Sequence, residues 1–294
     1  MSMSSSASAA HPVIVVGVGD DEASERALQW AVDEAGRGSM SLHLLHASPM
    51  PFRASVTAEP AAGARRLLDD AAQRVHDLDP QVEVITATEH GRASVSLVDA
   101  AQGAELLVVG SRARSAFASA VLGSTSLDVA VHAGCPVVVV RELPAVGATG
   151  AGVVVGSDGS PGSEPAVAEG FRQADARRLP LTVVHAWQLD FAGAGWTPED
   201  SERVRDEVAE QERALAAEAV SGWGEKYPDV ELRQVVLNAH PVEALVDHSR
   251  DAELVVVGSR GRGGFRGMLL GSVSRDVLGH AHCPVMVVRS AGRS

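Results

Sequence analysis

A glycine-rich segment late in the chain has the residue types of a phosphate-binding loop. Gly258, Gly261 and Gly271 follow a Val-rich run and lead into Ser272 and Ser274. Glycines let the backbone approach a ligand with no Cβ in the way, and the free N–H groups at the start of a helix favour an anion. The segment therefore predicts a site for a phosphate chain, with a flexible surface loop as the alternative interpretation.

A second segment supplies a carboxylate. Asp158 lies in Ser-Asp-Gly-Ser-Pro, directly after another Val-rich run. In a doubly wound sheet, ligands bind beyond the carboxyl ends of the strands, where the strand order reverses. The carboxylate can there accept hydrogen bonds from ribose or adenine groups. A turn with a helix cap is the alternative interpretation.

Arginines flank the glycine loop. Arg260, Arg262 and Arg266 can neutralise phosphate charge, or they are solvated loop residues. The whole chain has a net charge of -13, which argues against a general attraction to nucleic acid or anionic membrane. An anion must therefore be held by local geometry.

The composition indicates a globular protein of about two domains, because the chain has 294 residues. Hydrophobic residues make up 45% and aromatic residues 3%, so the core must consist of Val, Leu, Ala and Ile. This mixture suits strands that are buried on both faces. No apolar run approaches the ~20 residues that span a bilayer.

The only cysteines, Cys135 and Cys283, do not make a disulfide framework, and we expect a cytoplasmic protein. Each follows histidines, His132 in one case and His280 with His282 in the other. A metal site is one interpretation. We favour a turn into the last strand of each half, and expect no protein-built metal site.

An internal repeat organises the chain. Residues 104–141 align without a gap on residues 252–289, a displacement of 148 positions (252 − 104), and about two thirds of the aligned residues are identical. Such repetition indicates two equivalent domains. The predicted organisation is a disordered tail over 1–11, a domain over 12–142, a linker over 143–151 and a second domain over 152–290.

Short Val-rich runs alternate with stretches of helical period in both halves, which predicts an α/β fold. We expect two tandem doubly wound, Rossmann-like domains, each a five-stranded parallel sheet with helices on both faces. The predicted strands are 12–17, 41–47, 81–87, 104–109, 136–141, 152–157, 181–186, 230–237, 253–257 and 284–289. The predicted helices of the second half are 161–176, 198–225, 241–250 and 271–281.

These residues resemble the universal stress proteins, in the tandem-domain form found in actinobacteria. The ATP-binding subgroup has Gly, two residues, Gly, nine residues, Gly and then Ser or Thr. Gly258, Gly261, Gly271 and Ser272 match that pattern, and Asp158 matches the Asp after its first strand.

The resemblance implies that the second domain binds ATP, with Mg²⁺ as a candidate companion of the phosphates. Asp158 would contact ribose or adenine, the backbone near His185 and Ala186 would line the adenine, and the glycine loop would hold ribose and phosphates. The implied site consists of Asp158, Gly159, Ser160, His185, Ala186, Gly258, Ser259, Arg260, Gly261, Gly271, Ser272, Val273 and Ser274.

The first domain departs from the pattern at two positions. Gly19 stands where Asp is expected, with Asp20 one step later, and Ala113 stands at the position of Gly261. If Gly261 were left-handed, Ala113 in that geometry would cost ~1–2 kcal/mol. The equivalent, weaker site consists of Gly19, Asp20, His46, Ala47, Gly110, Arg112, Ala113, Gly123, Ser124, Thr125 and Ser126.

No set of residues in the sequence has the pattern of a catalytic centre, and the loop lacks the Lys of a Walker P-loop. We therefore expect an ATP-responsive binding protein of the stress response. A slow ATP hydrolase is the alternative, and an interaction module with a degenerate first site is a third. Equivalent surfaces also predict that the domains pair about a pseudo-twofold axis through strand five, with a homodimer as a further candidate.

Overall fold

The structure is a computed structural model that describes residues 12–48, 58–111, 122–141, 152–189, 197–262 and 269–289. The predicted tail and the predicted linker lie outside the described residues. Strands and helices alternate along both halves, as the Val-rich runs and the helical periods predict.

The first half has five strands and four helices within the described residues. They are β1 (Val13–Gly17), α1 (Glu22–Gly38), β2 (Ser41–Ser48), α2 (Ala58–Leu78), β3 (Val84–His90), α3 (Ala93–Ala100), β4 (Leu106–Gly110), α4 (Ser124–His132) and β5 (Val137–Val140).

The second half repeats this order with one additional short helix. Its elements are β6 (Gly152–Gly156), α5 (Glu164–Arg177), β7 (Leu181–Trp187), α6 (Pro198–Ala219), α7 (Trp223–Lys226), β8 (Leu232–Asn238), α8 (Pro241–His248), a 3₁₀ turn (Ser249–Asp251), β9 (Ala252–Gly258), α9 (Ser272–His280) and β10 (Val285–Val288).

All ten strands form one sheet in the order β3-β2-β1-β4-β5-β10-β9-β6-β7-β8. Pairing is parallel within each half, which confirms the predicted fold class. The strand order reverses between β1 and β4, and again between β6 and β9. Each half therefore has one crevice beyond the carboxyl ends of these strands, which is where a ligand is expected.

The two halves join through strand five, as predicted from its apolar sequence. The antiparallel register pairs Val285 with Val139, Met286 with Val138 and Val287 with Val137. Val138 and Met286 are equivalent residues of the repeat, so a pseudo-twofold axis passes between them. All eight residues of β5 and β10 are buried, and each strand covers the hydrogen-bonding edge that the other would expose.

Alternating side chains of the strands build one apolar layer on each face of the sheet. One layer packs beneath α1, α2 and α5, and the other beneath α3, α4, α8 and α9. Both layers contain residues from both halves. The hydrophobic core is consequently continuous across the seam.

The structure corrects three predicted boundaries. Strand β3 begins at Val84 rather than 81, because Asp79 closes a turn by accepting hydrogen bonds from the backbone N–H groups of Gln81 and Val82. The helix predicted from 161 begins at Glu164, after a separate turn. The helix predicted over 198–225 ends at Ala219, because Gly222 adopts a left-handed conformation with φ of 80°.

Polar side-chain contacts cross from one half to the other, among them those of Arg289, the ion pair of Arg177 with Glu34 and a longer one of Arg172 with Glu105. Arg289, which follows β10, donates from Nη1 to the carbonyl oxygens of Val131 and Ala133 at the end of α4, at 2.5 and 3.2 Å. A cation there satisfies carbonyls that have no partner within the helix. The last strand of the second half thus holds a helix of the first.

The second contact is a buried ion pair between α1 and α5. Arg177 Nη2 lies 2.6 Å from Glu34 Oε2, and the side chains are 2% and 4% exposed. Arg177 also lies over the ring of Trp30 and hydrogen-bonds Gln173. Burial lowers the pKa of Arg177 although Glu34 acts in the opposite direction, so the pair depends on both partners being present.

We predict that Glu34→Ala lowers the free energy of unfolding by about 3–5 kcal/mol, because it leaves a buried guanidinium without its anion. Chemical denaturation followed by circular dichroism measures the loss. The matched control is Glu210→Ala, which breaks an exposed ion pair with Arg213 and should cost no more than about 1 kcal/mol. Equal losses in the two variants would contradict the assignment of this pair as an interdomain anchor.

Candidate functional site

The crevice of the second half is a cavity of about 470 Å³ beyond the carboxyl ends of β6 and β9. This volume lies in the range of small-molecule sites. Its lining residues are Gly156, Ser157, Asp158, Ser163, Val184, Ala186, Pro241, Leu245, Val257, Gly258, Arg260, Gly261, Arg262, Gly271, Ser272, Val273 and Ser274.

One end of the cavity is apolar. Val184 and Ala186 lie at the end of β7, and Pro241 and Leu245 lie on α8 and contribute their side chains to the same wall. A planar heteroaromatic group fits such a surface because it buries its faces without leaving polar groups unpaired.

The other end is the start of α9. Gly271 is the N-cap residue, and no side chain of the described residues caps this helix. The backbone N–H groups of Ser272, Val273 and Ser274 therefore have no partner within the helix, and the positive end of the helix dipole faces the cavity. This arrangement favours an anion such as a phosphate.

The hydroxyl group of Ser274 has a structural task. Its Oγ donates to the carbonyl oxygen of Gly258 at 2.6 Å, which ties the helix start to the end of β9. Ser259 continues this link, since its N–H donates to Val288 O and its carbonyl accepts from Gly271 N, both at 2.7 Å. The loop after β9 is thus held at both ends by backbone atoms, and Ser259 is not among the residues that line the cavity.

Asp158 organises the centre of the site. Its Oδ1 accepts from the N–H and the hydroxyl of Ser160 at 3.0 and 2.6 Å, and its Oδ2 accepts from the N–H of Arg262 at 2.5 Å. Burial is the largest influence on its pKa and would raise it, but these hydrogen bonds together lower it. The carboxylate is therefore ionised at neutral pH. Asp158 forms the predicted turn and also lines the cavity.

Gly261 is a glycine for a steric reason. A Cβ built on it would lie 2.5 Å from Asp158 Oδ2. The premise of a left-handed Gly261 is wrong, because the described glycines with positive φ are Gly91, Gly103, Gly159 and Gly222. The close approach of a carboxylate that is itself held by hydrogen bonds, rather than backbone conformation, disfavours a side chain here.

His185 does not line the cavity. Because side chains alternate along a strand, the residues on either side of it, Val184 and Ala186, face the cavity while His185 points to the opposite face. There its Nε2 lies 2.6 Å from Glu212 Oε2 on α6, and Glu212 Oε1 lies 3.4 Å from Arg262 Nη1. The histidine thus contacts the loop after β9 indirectly, through Glu212, on the side away from the cavity.

The structure brings together most of the residues predicted for the second domain. Gly159, Ser160, His185 and Ser259 are the predicted residues that do not line the cavity. Sequence reasoning did not assign Val184, Pro241 and Leu245 of the apolar wall, or the lining residues Gly156, Ser157, Ser163 and Val257. The spacing of Pro241 and Leu245, one turn apart at the start of a helix that follows a strand, could have indicated that α8 contributes to the wall of the cavity.

The crevice of the first half is a separate cavity of about 660 Å³. Of the residues predicted there, it is lined by Gly19, Asp20, His46, Ala47, Gly110, Gly123, Ser124, Thr125 and Ser126. Arg112 and Ala113 lie outside the described residues. Ser126 Oγ donates to Gly110 O at 3.0 Å, which repeats the contact of Ser274 with Gly258.

This first crevice has no counterpart of Asp158, because Gly19 occupies that position. The neighbouring Asp21 is committed to α1, whose N-cap it forms by accepting from Ser24 N at 2.8 Å. The two crevices therefore share a helix start and a glycine-bounded strand end but differ in the carboxylate.

Within the part of the chain that the structure describes, no group of three or more His, Cys, Asp and Glu side chains is placed to hold a metal ion. No helix among the same residues is long and apolar enough to cross a membrane.

The family model of the universal stress protein family matches residues 12–141 and 152–289, one match in each half. The chain belongs to the universal stress protein family.

Relatives of this family extend over nearly the whole chain. A universal stress protein of Mycolicibacterium smegmatis is 38% identical over 292 residues, which cover 94% of this chain and 96% of the relative. One from Mycobacterium tuberculosis is 36% identical over 299 residues, covering 95% and 96%. The crystal structure of a universal stress protein from Archaeoglobus fulgidus superposes with a TM-score of 0.71 at 21% identity, covering 94% of this chain and 98% of that one, and supports the fold.

We predict that Asp158→Asn destabilises this universal stress protein at neutral pH. In one orientation of the amide its NH₂ group faces the donors of Ser160, and in the other it faces the N–H of Arg262, so at least one hydrogen bond is lost in either case. The lowered pKa of Asp158 means that its contribution is fully present above its unfolded value of roughly 3.9 and is lost as pH falls through the folded value. The difference in unfolding free energy between wild type and variant should therefore shrink as pH falls below about 4.

Denaturation series between neutral and acidic pH measure this difference. Asp247→Asn is the control, because that carboxylate is 75% exposed and lies 3.8 Å from Arg250 in a surface pair. A difference for Asp158→Asn that stays constant at acidic pH would show that the ionised carboxylate does not hold the loop.

Proposed function

We propose that this universal stress protein binds ATP in the crevice of its second domain and acts as an ATP-responsive regulatory protein of the stress response. The observation that carries the proposal is the uncapped start of α9, which faces the same cavity as the glycine loop, Asp158 and an apolar wall. A nucleotide has the matching sequence of groups: an aromatic base, a ribose and an anionic phosphate chain.

The residues of the cavity fit such a ligand in a defined order. The apolar wall of Val184, Ala186, Pro241 and Leu245 suits the adenine, and the backbone of Gly258 and Gly261 leaves room for the ribose and the first phosphate. The N–H groups of α9 and the cation of Arg260 suit the remaining phosphates, whereas the guanidinium of Arg262 pairs with Glu212. Mg²⁺, where present, would be carried by the phosphates rather than by a protein-built metal site.

Binding without dedicated catalysis is the form of the proposal that the described residues favour. Hydrolysis requires a positioned base next to the attacking water. Asp158 carries the only carboxylate among the described residues that line the cavity, and both of its oxygens accept hydrogen bonds from the protein. Phosphate release well above a buffer control, abolished by Asp158→Ala, would instead support the slow hydrolase.

We also propose a reducing compartment, the cytoplasm, for this protein. Cys135 and Cys283 are buried, and neither forms a disulfide bond within the described part of the chain. Burial raises the pKa of Cys135 to about 11, so this thiol is protonated at neutral pH and has no need of disulfide protection. A homodimer would have to use a surface other than strand five, because β5 and β10 already pair with each other.

We predict that ATP at a hundredfold excess over its dissociation constant raises the unfolding free energy by about 2.7 kcal/mol. Gly271→Glu should remove most of this gain, because it places a negative charge at the phosphate end of the cavity. A Cβ at Gly271 has only ordinary contacts, the nearest at 3.5 Å, so the variant should fold. Thermal unfolding with and without ATP measures the gain.

Gly123→Glu is the matched control and tests the predicted asymmetry between the domains. A Cβ at Gly123 also has only an ordinary contact, at 3.6 Å from Ser126 Oγ. Losing one hydrogen-bonded carboxylate is worth on the order of 1 kcal/mol, or about fivefold in affinity, so the second domain should fill first. Equal losses of tight ATP binding in the two variants, measured by calorimetry, would contradict this asymmetry.

A further inference from the structure

One oxygen atom of Asp158 constrains the loop after β9 in two ways. Oδ2 accepts a hydrogen bond from Arg262 N at 2.5 Å, and a Cβ on the preceding residue, Gly261, would lie 2.5 Å from the same oxygen. Real Cβ atoms do not approach another atom so closely. The carboxylate can therefore hold the backbone at Arg262 only if residue 261 has no side chain.

The loop is also held on its other side. Arg262 extends its guanidinium to Glu212 on α6, with Nη1 3.4 Å from Oε1, and Glu212 in turn contacts His185. The backbone N–H of Arg262 is thus held by Asp158 in the loop after β6, and its side chain is held by Glu212 on α6. Arg262 therefore has little freedom to move while both contacts persist.

The first half of the chain has different residues at both equivalent positions. Gly19 aligns with Asp158, and Ala113 aligns with Gly261. Where the carboxylate is missing, the requirement for a glycine is missing as well. The two departures of the first half from the second are then one linked change instead of two separate ones.

We propose that Asp158 and Gly261 are a matched pair, in which Asp158 is a positioning residue that shapes the loop after β9 for the phosphates, and the carboxylate dictates the glycine. The shaping of a phosphate site rests on the proposed function, whereas the pairing of the two residues does not. The pair in the first half, Gly19 with Ala113, is the alternative matched state.

The pairing is tested by a double-mutant cycle on unfolding without nucleotide. Gly261→Ala should lower the denaturation midpoint of the wild type but leave it unchanged within error in an Asp158→Gly background, since the methyl group then meets no carboxylate. Asp158→Ala is a second background that avoids two consecutive glycines. Additive effects of the two substitutions in both backgrounds would overturn the proposal.

Asp158→Asn is the size control in the same cycle. An Asn that turns its oxygen to the N–H of Arg262 keeps the close approach to Gly261 and loses only the contacts with Ser160, so Gly261→Ala should remain harmful in this background. Relief by Asn equal to that by Gly would show that charge, and not the close approach, links the two residues.

A ligand measurement separates positioning from direct contact with the nucleoside. If Asp158 acts through the loop, Asp158→Asn weakens ATP and tripolyphosphate by a similar factor and leaves adenosine unchanged, each measured as a competitor or by calorimetry. A loss confined to ATP and adenosine would overturn the positioning role. Failure of the wild type to bind any of these ligands would contradict the proposed function, while the cycle on unfolding would still decide the pairing.

Discussion

The antiparallel pairing of β5 with β10 is the constraint on which the rest of the structure depends. Two equivalent strands can pair in register only about a twofold axis, and here Val138 meets Met286 at that axis. Since the strands are parallel within each half, the carboxyl ends of the two halves then point to opposite edges of one sheet. The axis also brings α1 against α5, where the Glu34–Arg177 pair is buried.

The crevice of the first half is consequently built by that half but supported by the other. Helix α4 presents its first residues to the crevice of the first half, and its last carbonyls accept hydrogen bonds from Arg289, which follows the last strand of the second half. The apolar layers beneath the helices are shared as well. The domains repeat as sequence units, but they do not have separate cores.

The two crevices differ because a single carboxylate changes the requirements of a whole loop. Asp158 accepts three hydrogen bonds from Ser160 and Arg262, excludes a Cβ at Gly261 and still lines the cavity. Without that group, the first crevice retains the anion-favouring start of α4, but its lining carboxylates, Asp20 and Asp21, come one and two positions later than the carboxylate of the second crevice. A helix start is generic, whereas the loop that faces it is specific to each half.

The sequence by itself determined the repeat, the order of strands and helices, the strand that forms the seam and the loop that faces α9. These follow from local periodicity and from identical residues at a constant displacement, and both can be read without knowing which residues meet. Only the tertiary structure decided that His185 faces away from the cavity, that α8 supplies the apolar wall, and that Gly261 is a glycine because of Asp158. Those facts depend on contacts between residues far apart in the chain, such as the 104 positions between Asp158 and Arg262, and local patterns carry no information about such distances.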